Sequence, residues 1–362
     1  MGPDESPMAD KPVTQPKVTV VVVNFNGGEY LRGCIASLAR QTFTDFETIV
    51  IDNASSDNSL DLIVEKPVRF TLLRQDKNLG FAGGNNVGAR VGKGRWLALL
   101  NPDAVADPGW LAAMMQAVEQ RPSRRMVACL QVGLHDASKL DGAGDCYLAY
   151  GYAWRGGYGH PVAAAPKAGE CFGPCGAAAL YPRELFLDSG GFDERYFCYH
   201  EDVDIAFRLR LMGERCQYVP TALVHHAGSG LTSRVSGFAV FHGMRNGVWT
   251  YVKNMPGGLL VLTFPVWLAG VLLLILRGAF RGAFVQTVRG YAAAFRHIGP
   301  AIAARRTLKA MRRISPGRLA ASFTWNPFRY LGRGIDVRPF PPASDPADQS
   351  AMRSTSANAR KM

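Results

Sequence analysis

Apolar positions along the chain fall into short continuous blocks separated by longer periodic ones. Val18–Val23 is an unbroken β-branched run, as expected of a strand buried on both faces. Thr48–Ile51, Phe70–Leu73 and Trp96–Leu100 repeat that texture. Glu29–Arg40, Asn58–Glu65 and Asn85–Val91, between these runs, read as helices. Strands alternating with helices predict an α/β, doubly wound, mostly parallel sheet. Each run stops at polar or glycine-rich residues: Asn24-Phe25-Asn26-Gly27-Gly28, Asp52-Asn53-Ala54-Ser55-Ser56-Asp57, and Asn101-Pro102-Asp103. Right-handed crossovers bring such ends to one edge, where open α/β sheets bind ligands.

Beyond about residue 125 the pattern changes. Gly142–Tyr181 is rich in Gly, Ala and aromatics, including Tyr147, Tyr150, Tyr152, Trp154 and Tyr158. It reads either as a sugar-binding groove or as an irregular β region with core aromatics. A turn at Gly190–Glu194 and the acidic run Glu201-Asp202-Val203-Asp204 lead into a helix, Ile205–Met212. Asp204 and Arg208, four apart, suit a helix-face pair. A short strand, Ala222–Val224, precedes His225-His226. Gly257–Leu276 is twenty residues without a charge, interrupted by Pro265. That length makes it a membrane-span candidate. Ala279–Ala304 then mixes apolar residues with spaced arginines, like a helix lying in an interface. The expected segments are a disordered leader (1–16), two halves of one catalytic domain (17–125 and 126–255), membrane-associated helices (256–320) and a basic, largely disordered tail (321–362).

Charge sharpens this division. The net +12 is carried by the C-terminal part: residues 277–362 hold 16 Lys+Arg and 3 Asp+Glu, whereas the first 276 residues hold 25 and 26. An anionic partner is expected there. The arginines alternate with apolar runs rather than with exposed aromatics, which suits lipid and argues against nucleic acid. Seven scattered cysteines, with only Cys171 and Cys175 close together, do not make a zinc pattern and fit reduced thiols. The leader has no apolar export core, and Gly2 and Ser6 match a myristoylation pattern only formally.

Candidate chemistry lies on the rim. Asp52, at a strand end, can accept from a base-ring N–H, with Asn24 and Asn26 bracketing the ring; alternatively Asp52-Asn53-Ala54-Ser55 simply caps the next helix. Gly80–Asn86 reads as a glycine-rich loop ahead of a helix, able to approach a phosphate, but lacks G-x-G-x-x-G spacing. Asp103 can hold a divalent cation, and the His225-His226 pair offers a candidate second ligand; with phosphate oxygens that donor set suits Mn²⁺ as well as Mg²⁺. A carboxylate near such a site can deprotonate an acceptor hydroxyl, and Asp202, with Glu201 beside it, is placed for that.

Six stretches in order carry a family resemblance. They are Val20–Asn26, Ile51–Asp57, Asn78–Gly88, Leu100–Asp103, Gly191–Glu194 and His200–Asp204. Together they resemble glycosyltransferase family 2, in its bacterial rhamnosyltransferase-like branch, over roughly residues 18–255. The resemblance implies a GT-A type fold and inverting, metal-dependent transfer from a dTDP- or UDP-sugar, with rhamnose among the candidate sugars. It implies nucleotide contacts from Val23, Asn24, Asn26, Asp52, Asn78, Gly83 and Asn86. Asp103 and His226 would bind the metal, and Asp202 would be the base. Asn101 stands where the family's D-x-D motif has its first acid. Arg245-Asn246 also matches the branch, without an evident physical role.

The acceptor expected on this reading is lipid-linked or a cell-surface glycan. The enzyme would sit on the cytoplasmic face of a bacterial inner membrane, against anionic inner-leaflet lipids. Nucleotide sugars and the arginines after Leu276 both belong to the cytosol. A single crossing cannot satisfy both, so a re-entrant or interfacial segment is expected. The competing reading is a non-catalytic nucleotide-sugar-binding protein at the membrane.

Overall fold

The computed structural model describes residues 15–228 and 237–340. The expectations for the leader and for the tail beyond 340 lie outside the described residues. In the first half, β1 (Val18–Asn24), α1 (Gly28–Ala39), β2 (Phe46–Asp52), β3 (Phe70–Arg74), α2 (Gly80–Val91) and β4 (Trp96–Leu100) alternate as expected. Then come β5 (Ala104–Ala106), α3 (Trp110–Gln120), β6 (Met126–Gly133), β7 (Leu140–Ala143), β8 (Asp145–Leu148), β9 (Tyr152–Arg155), β10 (Gly169–Cys171) and β11 (Ala178–Pro182). The chain continues through α4 (Arg183–Asp188), α5 (Glu201–Leu211) and β12 (Cys216–His226). Helices α6 (Phe238–Asn254), α7 (Gly257–Phe280), α8 (Phe284–Arg296), α9 (Gly299–Met311), α10 (Pro316–Ala320) and α11 (Pro327–Leu331) follow.

One sheet in the order β10-β12-β6-β11-β4-β1-β2-β3 runs through both expected halves. Strands β4, β1, β2 and β3 are mutually parallel, as are β6 and β12. Strand β11 is antiparallel to both β4 and β6. The β1 side chains alternate between two cores. Val18, Val20 and Val22 pack with Leu31, Ile35 and Trp110 of α1 and α3. Val21 and Val23 pack with Ala82 and Ala89 of α2 and with Ile205 and Leu209 of α5.

Five expectations change. Asn58–Glu65 forms turns, not a helix. The glycine-rich stretch from Gly80 is the first half of α2, not a loop. Its glycines serve close packing: a Cβ on Gly84 would lie 2.6 Å from Val23, and one on Gly88 2.5 Å from Val21. Helix α5 begins at Glu201, and β12 runs on through His226, so the histidines sit in a strand rather than after one. Residues 321–340 fold back on the domain: Arg338 pairs with Glu170 through backbone bonds of 2.7 and 2.9 Å. The Gly142–Tyr181 aromatics divide in favour of the core reading. Tyr147 packs against Phe172, Phe207 and Phe323, and Trp154 against Tyr330.

A third core joins this body to the C-terminal helices through Phe207, Trp249, Tyr251, Trp267 and Tyr291. Tyr251 and Trp267 stack with centroids 5.2 Å apart. Tyr152 Oη donates to the Trp267 carbonyl at 2.7 Å, an approach that needs Gly270, where a Cβ would meet that hydroxyl at 2.3 Å. Helix α8 then returns to pack on α6 and α7. Helix α7 is thereby held to the body along its length. It still exposes Val261, Leu262, Phe264, Leu268, Leu272, Leu273 and Leu276.

Asp204, at the start of α5, is fully buried. It accepts from Arg208 Nε at 2.8 Å, Lys253 Nζ at 2.9 Å and Asn254 Nδ2 at 2.8 Å. Burial raises its pKa, but Lys253 and Arg208 outweigh that and hold it below the usual carboxylate range. A depressed carboxylate stabilises the fold above its unfolded pKa of about 3.9 and loses that contribution as pH falls toward its folded value. Lys253→Met removes one counter-charge from a buried carboxylate. It should destabilise the protein by about 3–5 kcal/mol at neutral pH and move the acid-unfolding midpoint upward. Circular dichroism against pH and denaturant measures both; an unchanged midpoint contradicts the account.

Candidate active site

A cavity of about 520 Å³ opens beyond the carboxyl ends of β1 and β4. Val23, Asn26, Asn78, Asp103 and His226, all singled out from sequence, line it. The turns that follow the strands aim these groups. Asn26 takes a positive φ of 54° and accepts from Ser56 N–H at 2.8 Å. Asn78 Oδ1 accepts from Gly80 N–H at 2.8 Å, which starts α2.

The remaining candidates do not line it. Asn24 is fully buried, and its amide donates to Asp52, Ser55 and Ser59 at 2.9–3.0 Å. It shapes the β1–β2 edge and has no capacity left for a ring. Asp52 is buried one layer behind the cavity; beyond Asn24, its Oδ2 has only a long bond of 3.4 Å from Ser55 N–H. Asn86 is spent on the turn at 191–194, bonding the Phe192 N–H and carbonyl at 2.8 Å each and Glu194 at 3.0 Å. Gly83 is buried in α2 against Leu79. Glu201 is turned into the interior, where burial and then Asp202 push its carboxyl well above the ordinary range. It faces the interior and does not line the cavity. His225 points to the strand face opposite His226, as alternation requires.

Two carboxylates bracket His226. Its Nε2 lies 3.2 Å from Asp103 Oδ1 and 3.2 Å from Asn101 Nδ2, and its Nδ1 lies 2.8 Å from Asp141 Oδ2. Burial lowers the His226 pKa, but the bonds to Asp103 and Asp141 outweigh it and leave it above its ordinary value. A carboxylate accepting from Nδ1, which leaves Nε2 turned toward the cavity, is how proteins orient a metal-binding imidazole. Asn101 Oδ1 is buried beside them with no hydrogen-bond partner among the described residues. A carboxylate, an oriented imidazole and an orphaned amide oxygen at one cavity wall fit a divalent cation.

Asp202 stands just outside the lining, half-buried, accepting from Gly176 N–H at 2.9 Å. Asp145, Cys175 and Asp202 each offer an atom within 4.8 Å of the others. Asp145 is pushed well above the carboxylate range by burial and then by Asp202. Arg155 spans the two groups. It is ion-paired with Asp141, it lines the cavity, and the charges of Asp141, Asp145 and Asp202 raise it against the effect of burial.

Several cavity residues carried no chemical reading in the sequence. Arg155 had no local signal. Asn53, whose Oδ1 is buried and unpartnered among the described residues, was hidden inside its motif. Phe25, Phe81, Phe197, Tyr199 and Phe238 supply an aromatic wall. Phe197, Tyr199 and His200 all take positive φ, of 65°, 70° and 67°. Such strain persists only where the surroundings enforce it. Arg245-Asn246 does so: Asn246 Nδ2 donates to the carbonyls of Tyr196, Cys198 and Tyr199 at 2.7–3.0 Å, and Arg245 reaches the Tyr196 carbonyl at 2.9 Å.

With this geometry in view, comparisons with known proteins are informative. Residues 19–189 match the model for glycosyl transferase family 2. The chain is 29% identical over 241 residues to the N-acetylglucosaminyl-diphospho-decaprenol L-rhamnosyltransferase of Mycobacterium tuberculosis, covering 59% of this chain and 77% of that protein. It is 30% identical over 229 residues to the O-antigen biosynthesis protein RfbC of Myxococcus xanthus, spanning 58% of this chain and 17% of that longer protein. Among solved structures, it resembles a mannosyltransferase of Pyrobaculum calidifontis in complex with GDP-Man and Mn2+, with a TM-score of 0.50, 20% identity and 90% coverage of both chains. It also resembles TarS of S. aureus in complex with UDP-GlcNAc, with a TM-score of 0.51, 16% identity and coverage of 81% and 90%. These two share the GT-A fold.

Asn246→Ala removes the three hydrogen bonds to the loop carbonyls, each contributing roughly 1 kcal/mol net, and the one from Arg245 Nε. Amide exchange across residues 196–200 should accelerate by about a hundredfold, with β1 and β4 unaffected. Unchanged exchange in that loop contradicts the clamp.

Proposed function

We propose that the chain, whose residues 19–189 match the model for glycosyl transferase family 2, is an inverting, metal-dependent glycosyltransferase of that family. It transfers a sugar from a dTDP- or UDP-sugar to a lipid-linked acceptor in the cell envelope. The observation that carries this reading is the cavity wall shared by Asp103, His226 and Arg155, with Asp202 just outside its lining. The nucleotide enters over Val23, Asn26 and Asn53, with Asp52 Oδ2, which holds only the long bond from Ser55 N–H among the described residues, behind them as acceptor for a ring N–H. Asn78 closes the α2 side.

Asp103 and His226 would hold Mg²⁺ or Mn²⁺, which supplies positive charge where the diphosphate departs. The other steps belong to the protein. Asp202 accepts the proton of the acceptor hydroxyl as its oxygen attacks the anomeric carbon. Gly176 N–H holds that carboxylate in place. Arg155 ties it electrostatically to the Asp141–His226 pair. The aromatic wall at Phe197 and Tyr199, clamped by Asn246, excludes water from the reacting centre.

The lipid-linked acceptor is supported by the printed activity of the Mycobacterium relative and by the exposed apolar face of α7. That helix is held to the body by Tyr152, Tyr251 and α8, which favours its lying in the surface of a membrane over crossing it. We place the protein on the cytoplasmic face, against anionic lipid. Rhamnose is the donor sugar favoured by that same relative.

Donor consumption across UDP-, dTDP- and GDP-sugars with Mg²⁺ or Mn²⁺ tests the reading. Asp202→Asn should lower transfer by at least about 10³-fold while leaving nucleotide affinity nearly unchanged. His226→Ala should weaken metal-dependent nucleotide binding by about 10- to 100-fold. Full activity of Asp202→Asn sinks the base, and full activity in excess chelator sinks the metal site.

A further inference from the structure

Residues 215–335 contain 16 Lys+Arg and not one Asp or Glu. A stretch of 121 residues without a carboxylate leaves its cations to find partners elsewhere. Most of them are scattered over exposed helix faces. A few converge on a pocket of about 300 Å³, where the end of α6, the start of α7 and one face of α9 meet. Arg305, Arg306, Lys309 and Arg312 line it, and no carboxylate does. Lys253 also lines it, but its charge is spent on Asp193 and Asp204. Arg305 and Lys309, four apart, share one face of α9, and Arg312 follows at its C-cap. Arg305 is half-buried and held by the Val252 carbonyl. Burial alone lowers its pKa, with no acid to compensate.

Holding three or more cations around one concavity costs repulsion unless an anion fills it. The location says which anion. Pro256 and Gly257 form the pocket rim at the foot of α7, and from Leu259 onward that helix is apolar and largely exposed. The cations therefore sit at the level where an apolar surface ends and charge begins, which is the level of lipid phosphates beside a helix lying in the interface.

We propose that this pocket is a specific site for the phosphate of an anionic membrane lipid, deepening the membrane-surface reading above, on which it rests. The pocket also lines Leu211, at the far end of α5 from Asp202, roughly 14 Å along the helix axis. A phosphate seated there fixes the height and tilt of the catalytic cavity above the bilayer.

Vesicle co-sedimentation of the full chain tests it, using phosphatidylcholine vesicles with and without 30% phosphatidylglycerol. Lys309→Gln/Arg312→Gln removes two pocket cations that make no structural bond among the described residues. Arg289→Gln/Arg296→Gln removes two exposed cations outside the pocket. The pocket pair should lose affinity for the anionic vesicles about tenfold more than the control pair. Millimolar inorganic phosphate should weaken the wild-type protein and not the pocket variant. Equal losses in the two pairs overturn the site and leave general electrostatic docking in place. A wild-type chain that binds neither vesicle overturns the membrane reading and the site together. Transfer to a soluble acceptor, measured in parallel, reports separately on the glycosyltransferase reading.

Discussion

The buried carboxylate of Asp204 holds the working parts of this molecule in one frame. It lies two residues from the proposed base and is surrounded by Arg208, Lys253, Asn254 and the Tyr196 hydroxyl at 3.3 Å. Those partners come from three places: α5 itself, α6, and the turn before α5. A charge buried to that degree is tolerated only with its counter-charges in place. The position of α5 is therefore bound to that of α6. Helix α6 in turn clamps the strained Phe197–His200 loop through Asn246 and carries the α7–α9 assembly on its other faces. Base, aromatic wall and apolar helix are fixed relative to one another by one ionic hub.

On the opposite side of the cavity the constraint is the sheet. Parallel β1 and β4 end at the same level, and β12 reaches that level from the other half of the domain. This register brings His226 next to Asp103, 123 positions earlier in the chain, and the sixth strand's partner β7 leads to Asp141 behind it. Arg155 crosses from that imidazole–carboxylate pair to Asp145 and Asp202. The two sides of the cavity thus communicate through a partly buried guanidinium, and a change in charge on one side is felt by the other.

The alternation of apolar runs and helices was legible in the sequence, because it follows from burial of β-branched residues on both faces of a parallel sheet. Asp103 and His226 were paired as ligands of one metal through the family resemblance, and the register of β12 against β5 and β6 is what brings them together. Residues judged by type alone misled. Asn24, Asn86 and Glu201 look like binding groups, yet the first two are consumed by local backbone and side-chain bonds and the third is buried. The glycines of α2 look like a phosphate cradle and serve helix–sheet contact against Val21 and Val23. Arg155 and the aromatic wall depend on long-range packing and left no local pattern. Asp204 and Arg208 were readable as a helical pair, but their burial, and with it their importance, required Lys253 from another helix.

The central claim is that Asp103 and His226 form the metal site of the donor cavity. Anomalous scattering from Mn²⁺ in crystals grown with UDP or dTDP tests it most directly. The account predicts one dominant manganese peak within bonding distance, about 2.0–2.3 Å, of an Asp103 carboxylate oxygen and of His226 Nε2. A peak at Asp145, Cys175 and Asp202 instead, or none near His226 with nucleotide bound, would contradict it.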